Sequence, residues 1–229
     1  MSGQAQTGTK RERREFARLQ REAVKRRIER RRRAARAGVV ALVVVAVGVV
    51  GGVALLNSRR AGVLPGMLTG EAPWPANQAQ LAARLDAAGL PALTAMEQLD
   101  FHIHQHLDVF VHGHPVEVPA NIGIDPSVGI AVLHTHDATG VIHVESPERR
   151  DFTLGDFFDV WGVRLTDSCI GGYCNGNDGS LRAFVGGRPV QGDPRDLVLR
   201  EHEEIVLAFG TPDELPHPVP ATYEFPEGL

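Results

Sequence analysis

Residues 37–56 form a run of 20 side chains without a charge, nearly all Val, Ala, Gly and Leu, and no other feature restricts the chain so strongly. As a helix such a run is about 30 Å long, the thickness of a bilayer's hydrocarbon core. A soluble helix would need a polar face, which this run lacks. A cleaved leader fits less well, because 36 residues precede the run and no small-x-small cleavage site follows it near Leu55. The reading is an uncleaved signal anchor that crosses the membrane once.

Charge then sets the orientation. The formal net charge of −4 conceals a split: residues 1–36 carry 14 basic and 4 acidic side chains, net +10, and everything after Arg36 sums to −14. Arg30, Arg31, Arg32, Arg33 and Arg36 abut the near side of the apolar run, against only Arg59 and Arg60 on the far side. The positive-inside rule therefore puts the N-terminus in the cytoplasm and the C-terminal part outside it, at the cell membrane. The basic stretch also suggests nucleic acid, but Glu12, Glu15, Glu22 and Glu29 interrupt it and Phe16 is its one aromatic residue. Attraction to an anionic lipid bilayer is preferred, with no nucleic-acid partner expected. Gly48 and Gly52, four apart, offer a small-residue face through which a homodimer could form.

Beyond the anchor, residues 57–76 hold Gly62, Pro65, Gly66, Gly70, Pro73 and Pro75 and read as a tether. Residues 77–98 read as a helical segment, with Leu81, Leu85 and Ala88 at helical spacing and Gly89 and Pro91 as its stop. Residues 99–212 read as an α+β domain, a small sheet of β-hairpins with one packed amphipathic helix, and residues 213–229 as a loose Pro-rich tail. From Phe101 the period becomes two, with Ile103, Leu107, Val109 and Val111 on one parity. His112-Gly113-His114-Pro115 predicts a turn, and Phe184 to Val190 repeats the pattern Phe-Val-x-Gly-x-Pro-Val of Phe110 to Val116. The helix is predicted from Thr153, where Thr153 and Asp156 can form a capping box and Leu154, Phe157, Phe158 and Trp161 share a face. Residues 197–199 and 204–209 supply the last predicted strands.

Cys169 and Cys174 are the only cysteines. In an oxidising compartment they are expected to close a small loop as a disulfide. A redox or thiolate-ligand pair is the alternative, but the spacing is not Cys-x-x-Cys and no second pair exists.

Eight of the ten histidines fall between His102 and His143. In His102-x-His104-x-His106 strand alternation aims three imidazoles at one face, about 7 Å apart. His134-x-His136 repeats the geometry, and His143 with Glu145 makes a third pair on one face. If these strands are neighbours, several nitrogen donors meet in one pocket. His102, His104, His106, His134, His136 and His143 are the candidate metal ligands, with Asp137 and Glu145 as outer carboxylates. Imidazoles without thiolates suit Zn(II), Cu(II), Ni(II) or Fe(II), the lack of methionine in the cluster disfavours a thioether-rich Cu(I) site, and the expected cofactor is a transition metal ion of the zinc or copper class. The competing account is a solvated sheet face that uses histidine as its polar residue.

The stretches His102 to Val111, Leu133 to Glu145 and Phe152 to Gly162 resemble a family of membrane-anchored, histidine-rich bacterial and archaeal proteins without an assigned activity. The resemblance covers roughly residues 80–212 and implies an extracytoplasmic domain, but brings no reaction with it. Cupin chemistry is not carried over, because Glu145 lies nine residues after His136. Three functions compete: a metal-binding module, a metal-dependent hydrolytic enzyme with Asp137 or Glu145 as base, and a pH-responsive structural domain without metal. No catalytic residue is assigned, since no hydrolase, phosphate-loop or dinucleotide fingerprint occurs.

Overall fold

The period-two pattern from Phe101 becomes a single long strand. In the computed structural model, which describes residues 64–229, Phe101–Val111 forms β1. Leu107, Val109 and Val111 enter the main core, while the even positions face the other way. In chain order the remaining strands are β2 (His114–Val116), β3 (Ile124–Asp125), β4 (Gly129–Ile130), β5 (Leu133–His134) and β6 (Val141–Ser146), then β7 (Cys169–Ile170), β8 (Tyr173–Cys174), β9 (Ser180–Val185), β10 (Arg188–Val190) and β11 (Glu204–Gly210). The two α-helices among the described residues are α1 (Leu81–Ala88) and α2 (Leu154–Trp161).

Seven strands share one sheet in the order β10-β9-β11-β1-β6-β5, with β2 also paired to β1. β1 is its axis. One edge runs parallel to β11, from His106 opposite Glu204 to Val111 opposite Phe209. The other edge pairs antiparallel with β6 over Phe101–His106 and with β2 over its last three residues.

This architecture overturns the expected α+β arrangement of hairpins with one packed helix. The described residues are mostly sheet with two short helices, and the centre of that sheet is a parallel pair joining distant parts of the chain. Alternation fixes that a segment is a strand but not which strand lies beside it, so long-range parallel pairing leaves no local mark. Residues 197–199 form no strand of the sheet: Leu197 and Leu199 exchange backbone hydrogen bonds with Leu154 and Phe152, beside the start of α2. Among the described residues no helix is long and apolar enough to cross a membrane. The basic tail 1–36, the expected transmembrane helix 37–56 and its Gly48/Gly52 dimer face lie outside the described residues.

α2 starts as its sequence predicts. The Asp156 N–H donates to Thr153 Oγ1 at 3.2 Å, and Asp156 Oδ2 accepts from the Thr153 N–H at 3.0 Å. Leu154, Phe157, Phe158 and Trp161 are fully buried. α1 is tied to α2 by a buried cation that sequence reasoning did not single out. Arg84 donates from Nε to the Asp159 carbonyl at 3.0 Å and from Nη2 to the Val160 carbonyl at 3.1 Å, and it also reaches the carbonyls of Asn77 and Ala79. The Asp159 and Val160 carbonyls lie in the last turn of α2, where no intrahelical donor remains for them.

Two segments expected to be loose are packed. Within the presumed tether, Leu68 exchanges backbone hydrogen bonds with Gly162 and Arg164, and Trp74 is buried edge-on to Trp161. Cys169 and Cys174 are joined as a disulfide across β7 and β8. In the loop between them Gly171, at φ +53°, lies so close to Trp74 that a Cβ there would sit 2.2 Å from the indole. In the Pro-rich tail, Leu215 and Val219 pack with Phe110, Phe184, Val206 and Ala208, and Phe225 stacks on His202. A proline-rich strap needs few backbone partners, so its side chains alone can hold it on the sheet.

Candidate metal centre

The register of β1, β6 and β5 builds the site. His104 stands opposite His143, and His143 stands opposite His134, so three adjacent strands contribute one imidazole each to a single rung. Neighbouring strands lie about 4.8 Å apart, which keeps successive rings in contact. In the next rung His102 is opposite Glu145. His136 follows His134 two residues on, and its ring stands 4.5 Å from that of His143.

Ligand atoms converge here. His134 Nε2 lies 3.2 Å from His136 Nε2, close to the roughly 3.3 Å that separates two nitrogens bound to one tetrahedral zinc at 2.0–2.1 Å. Glu145 Oε1 is 3.2 Å from His102 Nε2, 3.6 Å from His143 Nδ1 and 3.7 Å from His134 Nε2. His134, His136, His143 and Glu145 can each offer one ligand atom with all four atoms within 4.8 Å of one another, and His102, His104 and His143 make a second such group. These groups could hold a metal ion.

Most of the cluster is sealed from water. His104, His134, His143 and Glu145 are buried, whereas His102 and His136 stand at the exposed rim. The solvated-face account therefore fails for the inner residues. Three buried atoms, His104 Nε2, His143 Nδ1 and Glu145 Oε2, have no hydrogen-bond partner. Unpartnered polar atoms are costly in a protein interior, and three gathered in one place need a reason.

The protonation states suit a cation. His134 Nδ1 lies 2.9 Å from the Ala131 carbonyl, so Nδ1 carries the proton and donates it. The lone pair of the neutral ring is then on Nε2, facing the cluster, an arrangement typical of metal-ligating histidine. Burial, reinforced by His143 and His102, pushes the His104 imidazole down to about 4. Burial also pushes His134 to about 4, with His136 and His143 adding to it against Glu145 and the Ala131 carbonyl. Both rings are neutral near pH 7. Burial works against ionisation of Glu145, yet His143, His134 and His102 together hold its carboxyl below the usual range.

His106 is not gathered into this set. It shares the parity of His102 and His104 but turns toward β11, where Nδ1 lies 2.7 Å from Glu204 Oε2, and Nε2 donates to the Thr139 carbonyl at 2.8 Å. Tyr223 from the C-terminal strap stacks on its ring at 3.8 Å. His106 does form a third compact group with Asp108 and Glu204. Both of its nitrogens are already engaged, however. Gly140, at φ +89°, makes room for this pair, since a Cβ there would lie 2.6 Å from the Leu107 carbonyl and 3.0 Å from His106 Nε2.

The carboxylates also sort differently from the sequence reading. Asp137 turns back to accept from the Thr139 N–H at 2.9 Å and shapes its own turn. Glu145 sits among the imidazoles as a ligand candidate, not an outer residue. Glu97, 3.5 Å from His136 Nε2, was not foreseen, nor was Glu204. Only an acidic side chain beginning the strand of Ile205 to Phe209 hinted at Glu204. His112 pairs with Glu214 at 3.1 Å, and exposed His114 lies beyond the turn that follows β1. No family model, curated protein or solved structure matches this chain.

Proposed function

We propose that this chain is a metal-binding module of the outer face of the cell membrane, holding a transition metal ion of the zinc or copper class. The primary ligands are buried His134, His143 and Glu145 with His136 at the rim, and His102 and His104 lie beside them. The observation that carries this reading is the three-strand rung of His104, His143 and His134, whose buried rings lie against one another in series and leave His104 Nε2 and His143 Nδ1 without a hydrogen-bond partner.

The donor set favours the metal class. Imidazoles with one carboxylate and no thiolate suit zinc(II) or copper(II), and the two cysteines are committed to their disulfide. That disulfide, the charge asymmetry flanking residues 37–56 and the resemblance to membrane-anchored, histidine-rich proteins all support a location outside the cytoplasm.

Elemental analysis of full-length protein, purified in detergent without chelator, tests the reading. The protein should carry stoichiometric transition metal, and the double variant His134→Ala/His143→Ala should lose it. Metal-free wild-type protein that takes up neither added zinc nor added copper would overturn it.

A further inference from the structure

His134, His136, His143 and Glu145 supply four donors, a full tetrahedral complement. They leave His102 and His104 unused. His104 is the more telling of the two, because its Nε2 is buried without a partner although His104 does not belong to that four-donor group. With His143 these two histidines form a second group whose ligand atoms also lie within 4.8 Å of one another.

His143 stands between the two groups. Its ring centre lies 4.5 Å from that of His104 and 4.5 Å from that of His136, at 87° and 83° to them. The two nitrogens of one imidazole diverge, so a single ion cannot take both, but two ions can take one each once the ring has released its N–H proton to solvent and binds as an imidazolate. Glu145 is placed in the same way. Its Oε1 faces His102 Nε2 on one side and His134 Nε2 on the other, while Oε2 is buried and free.

We infer that the cluster holds a pair of divalent transition metal ions, the second bound by His102 and His104, with His143 and the Glu145 carboxylate between the two. This rests on the metal-binding reading above and goes beyond it in stoichiometry and in the role of two residues. Ions that share ligands in this way are near enough for their unpaired electrons to couple.

Titration of chelator-stripped, full-length protein with copper(II) tests this, with bound metal counted by elemental analysis and the paramagnetic resonance signal integrated at each step. Two equivalents should bind per chain, with the integrated signal falling below the bound copper as the second enters. His102→Ala/His104→Ala should bind one equivalent with its full signal. Should that variant fold poorly, His102→Ala alone, at the exposed rim, should weaken the second equivalent and spare the first. Saturation of the wild type at one equivalent, or a second equivalent that is magnetically isolated, overturns the paired site while leaving the single site intact. No bound copper overturns both.

Discussion

The imidazole of His104 stands edge-on to that of His143, ring centres 4.5 Å apart, and each ring carries a buried nitrogen with no hydrogen-bond partner. Such an atom costs about 1–3 kcal/mol when left unmet in the interior. A site built for an ion carries this cost in the metal-free state. His104→Leu is therefore expected to raise the stability of the metal-free protein by about 1 kcal/mol while weakening metal binding. Urea unfolding and calorimetric titration of the same preparation check both halves. A variant that is less stable without metal and binds as well as the wild type would mean that His104 is simply a packing residue.

Arg84 carries a different expectation, for the fold. Its guanidinium serves four backbone carbonyls from a position without solvent exposure. Burial lowers its pKa, against the nearby Asp159 charge. Arg84→Ala strands those carbonyls and should cost about 3 kcal/mol. Arg84→Lys should recover only part, since an ammonium cannot span the same fork. Chemical denaturation measures both, and a loss within about 0.5 kcal/mol for the alanine variant would contradict the assigned role.

The His106–Glu204 pair gives stability a definite slope with pH. Burial pulls the His106 imidazole down, but the hydrogen bond and charge of Glu204, helped by the Thr139 carbonyl, more than reverse this and leave it raised. A raised folded-state value means that the folded protein holds the proton more tightly than the unfolded chain does. The contribution is therefore complete below the ordinary value of 6.5 and is lost as pH rises through the folded value. The wild type's advantage over His106→Gln should be largest near about pH 6 and shrink toward about pH 9. Unfolding curves across that range would contradict the pairing if the advantage grew with pH.

Some of this was legible in the sequence because it depends on neighbours along the chain. The parity of His102, His104 and His106 follows from alternation, and the capping box of α2 from three-residue spacing. The repeated Phe-Val-x-Gly-x-Pro-Val pattern does mark two turns of one kind: Phe110 pairs with Pro115 as Phe184 pairs with Pro189. What was not legible is set by partners far away in the chain. The alignment of His104, His143 and His134 is a matter of strand register, and Glu204 reaches His106 only through the parallel β1–β11 pair. Parity placed His106 with its neighbours, whereas the adjoining strand decides which way its ring is engaged. In the C-terminal strap the prolines masked a weaker signal, the apolar and aromatic side chains of Leu215, Val219, Tyr223 and Phe225.

The central claim, that histidines from separate strands share a metal ion, is tested most directly by X-ray absorption at the zinc edge of the zinc-loaded, full-length protein. The account predicts nitrogen and oxygen donors at about 2.0–2.1 Å with outer scattering from at least two imidazoles, abolished in His134→Ala/His143→Ala. A shell of oxygen donors without imidazole scattering, or a spectrum unchanged in that double variant, would contradict it.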